Sequence, residues 1–450
     1  MLTCGTWRRD VALVPQVQHR LLRLIQVNGD LACLERHRTS QLTAFLRTVV
    51  TRSPYYQDPA YQRVLAAPEP ERHLAEIPLL DKDRLREMTS VAPRGRRRRL
   101  PFTARTSGST GVPLNMVFGP EHYVSYYARF AHFLWRRRLW PTPLSMSMMT
   151  VSAFQAVIDY RVLQPAINCT FYRRINIHPS HWTSPAAPVA CVSAARPLVL
   201  RGMATSLETL AQRVAEDPPP APIRPAVVVS VAETLLPATR RLLESTFGAE
   251  VIDEYGLTEV GGVVGSECAA NGGFHVQPLD YLVEVVGPDG APLPDGREGE
   301  IVVTNLYATV VPLLRYRTGD FGTITSEPCR CGSVAPRIAR LTGRALSRFV
   351  GASGAAYNPY DEYGRLLLAL PMIQFQLAQV TDRMLLLRYR GNRDITDLPE
   401  VPALRERVAS VHGAATELRV ERVTAFEEGP KFHAFVRMDQ QEAVEAAAAG

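Results

Sequence analysis

Between residues 100 and 343, short apolar runs alternate with stretches of helical spacing, and this alternation restricts the fold more than any other feature of the chain. Residues 114–118, 226–231 and 250–252 read as strands, and 237–247 reads as a helix. Strands interleaved with helices bury a sheet beneath helical layers, so the expected fold class is α/β. At 450 residues the chain is too long for one hydrophobic core, and more than one domain follows.

Residues 1–90 read as mostly helical, with apolar residues at helical spacing over 39–50 that stop before Ser53-Pro54. Over 281–324 the pattern changes to hairpins: 281–286, a Gly287-Pro288-Asp289-Gly290 turn, then 300–304. A boundary is expected near 343–354, where Thr342-Gly343-Arg344 precedes Gly351-Ala352-Ser353-Gly354. Beyond it, strands at 384–389 and 417–423 accompany one helix at 402–411, a small α+β unit. The expected division is therefore a large domain over 1–343, with a β-rich part at 265–340, and a small domain over 344–450.

The segment Thr106-Ser107-Gly108-Ser109-Thr110-Gly111-Val112-Pro113 carries three kinds of useful chemistry. Glycines let backbone approach a ligand, hydroxyls donate hydrogen bonds, and successive N–H dipoles form an anion cradle. Asp253-Glu254-Tyr255-Gly256-Leu257-Thr258-Glu259 follows a strand-like run, where α/β sheets place ligands. Its Tyr255 can stack on a purine, Thr258 can bond phosphate, and Glu259 can hold Mg²⁺. In Arg315-Tyr316-Arg317-Thr318-Gly319-Asp320, the Asp320 carboxylate has two oxygens for a vicinal diol. Arg344 at the boundary can reach ribose or phosphate, and Lys431 on a Gly-Pro turn can neutralise charge on a phosphate under attack.

Taken together these segments resemble the acyl-adenylate-forming superfamily, within it the phenylacetate–CoA ligase and CapK-like branch. Ile77-Pro78-Leu79-Leu80-Asp81-Lys82 and the loop 106–113 match its first two signatures. Ala232-Glu233-Thr234-Leu235 and Tyr255-Gly256-Leu257-Thr258-Glu259 match the adenine and Mg²⁺ segments, and residues 316–320 match the ribose segment. Lys431 falls where that superfamily's mobile small domain carries its catalytic lysine, and the resemblance spans about 40–438. It implies ATP- and Mg²⁺-dependent activation of a small carboxylic acid of aryl or arylacetic type, with release of pyrophosphate. Transfer to the thiol of CoA follows; an amine acceptor is the alternative, and a non-catalytic nucleotide-binding protein on the same fold is a second. Where many relatives have acidic residues after Gly343-Arg344, this chain has Ala345-Leu346-Ser347-Arg348.

Cys268, His275, Cys329 and Cys331 supply three thiols and an imidazole, the ligand set of a closed tetrahedral Zn²⁺ site. With four protein ligands the role would be structural, tying the stretch after Glu259 to the stretch after Asp320. Members of the resembled branch carry a similar Cys…His…Cys-x-Cys arrangement. The remaining Cys4, Cys33, Cys169 and Cys191 are scattered, and an odd total of seven argues against a disulfide framework and for a reducing cytoplasm. His122, His132 and His433 read as surface or satisfied polar residues, and the stripe Tyr126, Tyr127, Phe130, Phe133 and Trp135 reads as core, with an acyl pocket as its alternative.

A net charge of +7 favours anionic ligands, although much of the excess sits in Arg94–Arg99 and in Arg136-Arg137-Arg138. The first run has no interleaved aromatics and no binding fold beside it, so no nucleic-acid partner is expected; a part for it in drawing in ATP or an acidic substrate stays open. No 18-residue apolar stretch occurs, and no membrane partner is expected. A homodimer is compatible with the sequence, which does not specify oligomeric state.

Overall fold

The computed structural model describes residues 4–51, 53–90, 102–105, 114–153, 159–268, 270, 272–308, 310–344, 348–357, 359–372, 374–391, 393–424, 426 and 434–438. In chain order, helices α1 (Cys4–Gly29), α2 (Leu31–Phe45), α3 (Pro59–Leu65) and α4 (Lys82–Ser90) lead to the hairpin β1 (Phe102–Arg105) and β2 (Asn115–Phe118). Then come α5 (Glu121–Arg136), β3 (Met146–Ser152), β4 (Tyr160–Gln164), β5 (Thr170–Asn176), α6 (Ala186–Ala195), β6 (Val199–Gly202), α7 (Ala204–Glu216), β7 (Val227–Val231), α8 (Pro237–Phe247) and β8 (Glu250–Leu257). Strands β9 (Gly262–Glu267), β10 (Phe274–Val276), β11 (Tyr281–Val286), β12 (Gly299–Asn305), β13 (Tyr316–Thr325) and β14 (Arg337–Arg344) follow. The remainder is β15 (Phe349–Val350), β16 (Ala356–Tyr357), α9 (Pro359–Ala369), β17 (Gln374–Thr381), β18 (Met384–Arg390), α10 (Glu400–His412), β19 (Glu417–Arg422) and β20 (Phe435–Arg437).

By its internal contacts the chain forms two compact units, Met1–Ala232 with Phe247–Leu341, and Glu233–Thr246 with Thr342–Gly450. The first is built on a sheet of 12 strands in the order β11-β12-β13-β14-β10-β9-β8-β7-β6-β3-β5-β4. Its middle, β5-β3-β6-β7-β8, is parallel, and β9 turns the sheet antiparallel beyond β8. A parallel strand is covered on both faces, which is why Met146–Ser152 is buried at every position, its Ser147, Thr150 and Ser152 included. The hairpins anticipated over 281–324 continue this same sheet instead of forming a sheet of their own.

One face of the parallel half carries α1, α2 and α5. Leu24, Val27 and Leu34 pack with Tyr127, Phe130 and Leu134 over Val199, Val227 and Ile252. The aromatic stripe is thus core at Tyr127 and Phe130. Of the two readings open for His122 and His132, surface or satisfied polar, the structure gives burial: His122 stacks on Phe118 and faces the Tyr307 hydroxyl, His132 stacks on Trp135, and burial lowers His122 to a pKa of about 3. Asp280 anchors these helices. Burial alone would raise its pKa, but Arg20 and Arg129 outweigh that and hold it at about 2. Arg20 and Arg129 both donate to its carboxylate, and Ser125 Oγ donates at 2.5 Å. A second core joins the antiparallel half to residues 42–118, with Leu46, Ile77, Leu80, Met116, Ile301 and Leu313 at its centre.

The second unit has a four-stranded sheet, β19-β18-β17-β20, whose core includes Tyr363, Leu377, Leu387, Tyr389 and Leu404. It holds α9 as well as α10, so the single helix expected beyond 355 is one too few. Pro359 and Gly364 masked that helical run in the sequence.

Candidate active site

Two of the sequence-predicted segments follow neighbouring parallel strands. Ala232 leaves β7 with φ +67, a conformation unusual for alanine, and Glu233 comes next. Strand β8 runs further than the sequence suggested, because β9 pairs with it from Glu254 to Leu257 and keeps the backbone extended. Tyr255 and Gly256 therefore lie in a strand, and Thr258 and Glu259 form the turn beyond it. Gly256 is required there, since a Cβ would sit 2.5 Å from the carbonyl oxygen of Gly262.

That turn is held from below. The Val260 carbonyl accepts from Tyr281 Oη at 3.1 Å, Asn305 Nδ2 at 2.6 Å and Tyr307 Oη at 3.4 Å. Gly261, at φ +90, passes so close to Tyr307 that an added Cβ would lie 2.3 Å from its hydroxyl. Three buried donors on one acceptor fix the turn's height above the sheet, and with it the positions of Thr258 and Glu259.

Asp320 reaches the same place from β13. Register slips between β12 and β13 across Thr318–Asp320, with Gly319 at φ +74, so a bulge turns Asp320 inward. Tyr255 Oη donates to Asp320 Oδ2 at 2.9 Å, bringing two predicted site residues 65 positions apart into contact. Thr318 Oγ1 donates to Ile301 O at 2.7 Å and accepts from Asp320 N at 3.0 Å, which sets the bulge.

The segment 77–82 arrives beside β13 by a parallel bridge between Leu80 and Tyr316. Leu80 N donates to Arg315 O and Arg317 N donates to Leu80 O, each at 2.9 Å. Arg315 then ties three loops together. Its guanidinium donates to Ala75 O at 2.8 Å, Ile77 O at 2.7 Å, Gly290 O at 2.9 Å and Glu284 Oε2 at 3.2 Å. The outcome is that Lys82 Nζ stands 3.8 Å from Glu259 Oε1. Lys82 and Arg315 both stand in segments singled out in the sequence, where neither was given a task. The positive φ of Arg315, which no local pattern reveals, is what lets its side chain point down into the loops.

Thr106, Ser107, Gly108, Ser109, Thr110, Gly111 and Lys431 lie outside the described residues. Arg344 is the last residue of β14, described in its backbone alone.

The four metal-type residues converge. The ligand atoms of Cys268, His275, Cys329 and Cys331 all lie within 4.8 Å of one another. Cys268 Sγ is 3.6 Å from Cys329 Sγ, against ~3.8 Å for two thiolates on one tetrahedral zinc. Cys331 Sγ is 3.3 Å from His275 Nε2, against ~3.5 Å for the mixed pair. His275 Nδ1 faces Ala335 O at 3.3 Å, which leaves Nε2 as the lone-pair nitrogen. Burial lowers the imidazole to a pKa of about 4, so it is neutral and able to ligate at neutral pH. Burial pushes the Cys331 thiol up, but the Ser333 N–H and the Arg136 guanidinium, 3.2 Å from the sulfur, bring it down overall. The donor set, spacing and protonation fit a zinc ion.

The profile of the AMP-binding enzyme family matches residues 71–308, more than half of the chain, and the chain belongs to that family. Within it, the sequence likeness runs to phenylacetate-coenzyme A ligases. The enzyme of that name from Thermus thermophilus is 34% identical over 170 residues, 37% of this chain and 36% of the relative. The one from Aromatoleum evansii is 37% identical over 117 residues, 25% of this chain and 26% of the relative. These matches span well under two thirds of the relatives' length. In fold, the chain is similar to a 2-hydroxyisobutyryl-CoA ligase crystallised in the postadenylation state with 2-HIB-AMP. The TM-score is 0.66 at 19% identity, covering 92% of this chain and 90% of that one.

Proposed function

We propose that this chain activates a small carboxylic acid with ATP, forming an acyl-adenylate and pyrophosphate, and then transfers the acyl group to the thiol of CoA. The observation that carries this reading is the meeting of Tyr255, Glu259, Asp320 and Lys82 at one end of the sheet in a chain of the AMP-binding family. The names of the relatives matched in sequence favour CoA as acceptor over an amine, and the aryl or arylacetic class of acid.

Asp320 would exchange the Tyr255 hydroxyl for the ribose diol, and Tyr255 would keep its ring beside the base. The resemblance gives the loop 106–111 the phosphates, Ala232 and Glu233 the adenine, and Arg344 the ribose or phosphate. Thr258 and Glu259 face the triphosphate, with Glu259 holding Mg²⁺; that ion, when bound, neutralises phosphate charge as a Lewis acid. Lys82, an ammonium beside the Glu259 carboxylate, keeps that carboxylate oriented. Lys431 is assigned by the resemblance to the charge that develops on the α-phosphate under attack. Aligning carboxylate and triphosphate is most of the catalytic task, since two anions repel until the site compensates them. Zn²⁺ held by Cys268, His275, Cys329 and Cys331 would join the stretch after β9 to the β13–β14 connection, a structural role with no ligand position open.

In domain terms, residues 1–343 form the adenylate-forming part and 344–450 the small domain carrying Lys431. The test is acid-dependent pyrophosphate release across aryl, arylacetic, aliphatic and amino acids, followed by mass spectrometry of products with CoA or with amines. An AMP ester from no acid would overturn the first half-reaction; amides in place of thioesters would overturn the second.

A further inference from the structure

Helices α1 and α2, with Leu279, border an open crevice of about 310 Å³ that the proposed adenylation chemistry does not use. His19, Arg20, Arg23, His37, Ser40 and Gln41 line it, and no carboxylate does. Arg20 spends one nitrogen on Leu279 O at 2.9 Å and on Asp280. Its Nε is buried with no hydrogen-bond partner among the described residues. Asp280 does not neutralise the place, because Arg129 shares it from the other side, leaving two guanidiniums on one carboxylate. Arg23 Nη1 faces His37 Nδ1 at 3.3 Å, and neither forms an ion pair with a carboxylate among the described residues. Burial, then Arg23 and Arg20, hold the His37 imidazole below its ordinary pKa, with the Gln41 amide pulling the other way.

Gln41 adds the second half of the chemistry. Its Nε2 donates to Leu279 O at 2.7 Å, which fixes the orientation of the amide. Its Oε1 is then a buried acceptor with no well-formed hydrogen bond among the described residues, the His37 ring being the side chain that approaches this amide. A bare phosphate offers the guanidiniums what they lack but has little for that oxygen; a hydroxyl beside the phosphate would satisfy it. The volume sits at the small end of ligand pockets, room for a phosphate on one sugar-sized group.

We propose that this crevice binds a hydroxylated phosphate ester of sugar size, its phosphate on Arg20 and Arg23 and its hydroxyl on Gln41. The claim is independent of the adenylation reading. A free sugar phosphate and the ribose-phosphate end of a larger cofactor share this chemistry.

The test titrates the full chain by calorimetry with its nucleotide site first saturated with AMP. The probes are ribose 5-phosphate, adenosine 3′,5′-bisphosphate and inorganic phosphate. One further molecule of ribose 5-phosphate or of the bisphosphate should bind, whichever is tighter identifying the source, and at least about tenfold more tightly than inorganic phosphate. Arg23→Ser, a change at an exposed position, should weaken that binding about tenfold or more, and Gln41→Met should erase the preference over inorganic phosphate. AMP affinity should not move in either variant. No second binding event, a parent that binds inorganic phosphate equally well, or indifference to Arg23→Ser would overturn the proposal. Pyrophosphate release measured on the same preparation keeps its failure separate from that of the adenylation reading.

Discussion

Replacing Arg315 by methionine tests whether one buried guanidinium holds three loops in register. The methionine fills part of the volume but strands the carbonyls of Ala75, Ile77 and Gly290 and the carboxylate of Glu284. Burial already raises the Glu284 pKa above its ordinary value of 4.5, with Arg315 pulling the other way. Without Arg315 the carboxyl would rise further and take up a proton on folding. Protonating a group of pKa 4.5 at pH 7 costs about 3.4 kcal/mol, which caps the carboxylate's share of the loss. Each stranded carbonyl adds ~1 kcal/mol or more unless water reaches it, so a total of about 4 to 6 kcal/mol is expected.

The pH dependence follows from the direction of that shift. In the variant, folded Glu284 binds its proton more tightly than unfolded Glu284, so stability falls as pH rises from the unfolded value toward the folded one. The deficit against the parent should therefore be larger at pH 8 than at pH 5. All four tryptophans (Trp7, Trp135, Trp140 and Trp182) belong to the first unit, so urea unfolding followed by tryptophan fluorescence reports on it alone. A paired Arg315→Met, Glu284→Leu chain should regain much of the loss. A single variant within about 1 kcal/mol of the parent, or a deficit that ignores pH, would refute the reasoning.

Lys82→Met should lower kcat/KM for pyrophosphate release by about tenfold or more, with the loss growing at limiting Mg²⁺, if the ammonium orients Glu259. Asp320→Asn should raise KM for ATP by roughly tenfold, read from steady-state kinetics, since an amide offers one acceptor where the carboxylate offers two. Lys431→Ala should slow adenylation by orders of magnitude while AMP binding, followed by calorimetry, largely survives. The purified chain should carry one zinc by elemental analysis, and Cys331→Ser should lose most of it and lower Tm by several degrees.

Within the parallel half, β7 and the start of β8 were legible as apolar runs and 237–247 was read to the residue, whereas β3, interrupted by Ser147 and Thr150, was not read. The four zinc-type residues were legible because spacing of Cys and His is a local signal. What escaped was long-range pairing. Nothing near 250–257 says that β9 will fold back and lengthen β8, and that pairing is what moves Tyr255 from a loop into a strand. The ion pair of Lys82 with Glu259 and the loop-tying of Arg315 likewise depend on partners more than a hundred positions apart, or on a backbone angle, and no sequence window contains them. His122 and His132 read as surface or satisfied polar residues, and for His122 it is Tyr307, 185 positions away, that decides for burial.

Strand β14 sits between β13 and β10, and β10 between β14 and β9. The pairing of Phe274 with Ile338 joins residues separated by more than sixty positions of chain. As the polypeptide grows from the ribosome, the strip β9–β10 therefore waits with one unsatisfied edge until residues 337–344 emerge. The parallel half can assemble earlier, whereas the bulge that aims Asp320 gains its second neighbour only at the end. Nucleotide affinity should accordingly appear late in synthesis, in one step, once the gap in the strand order is closed.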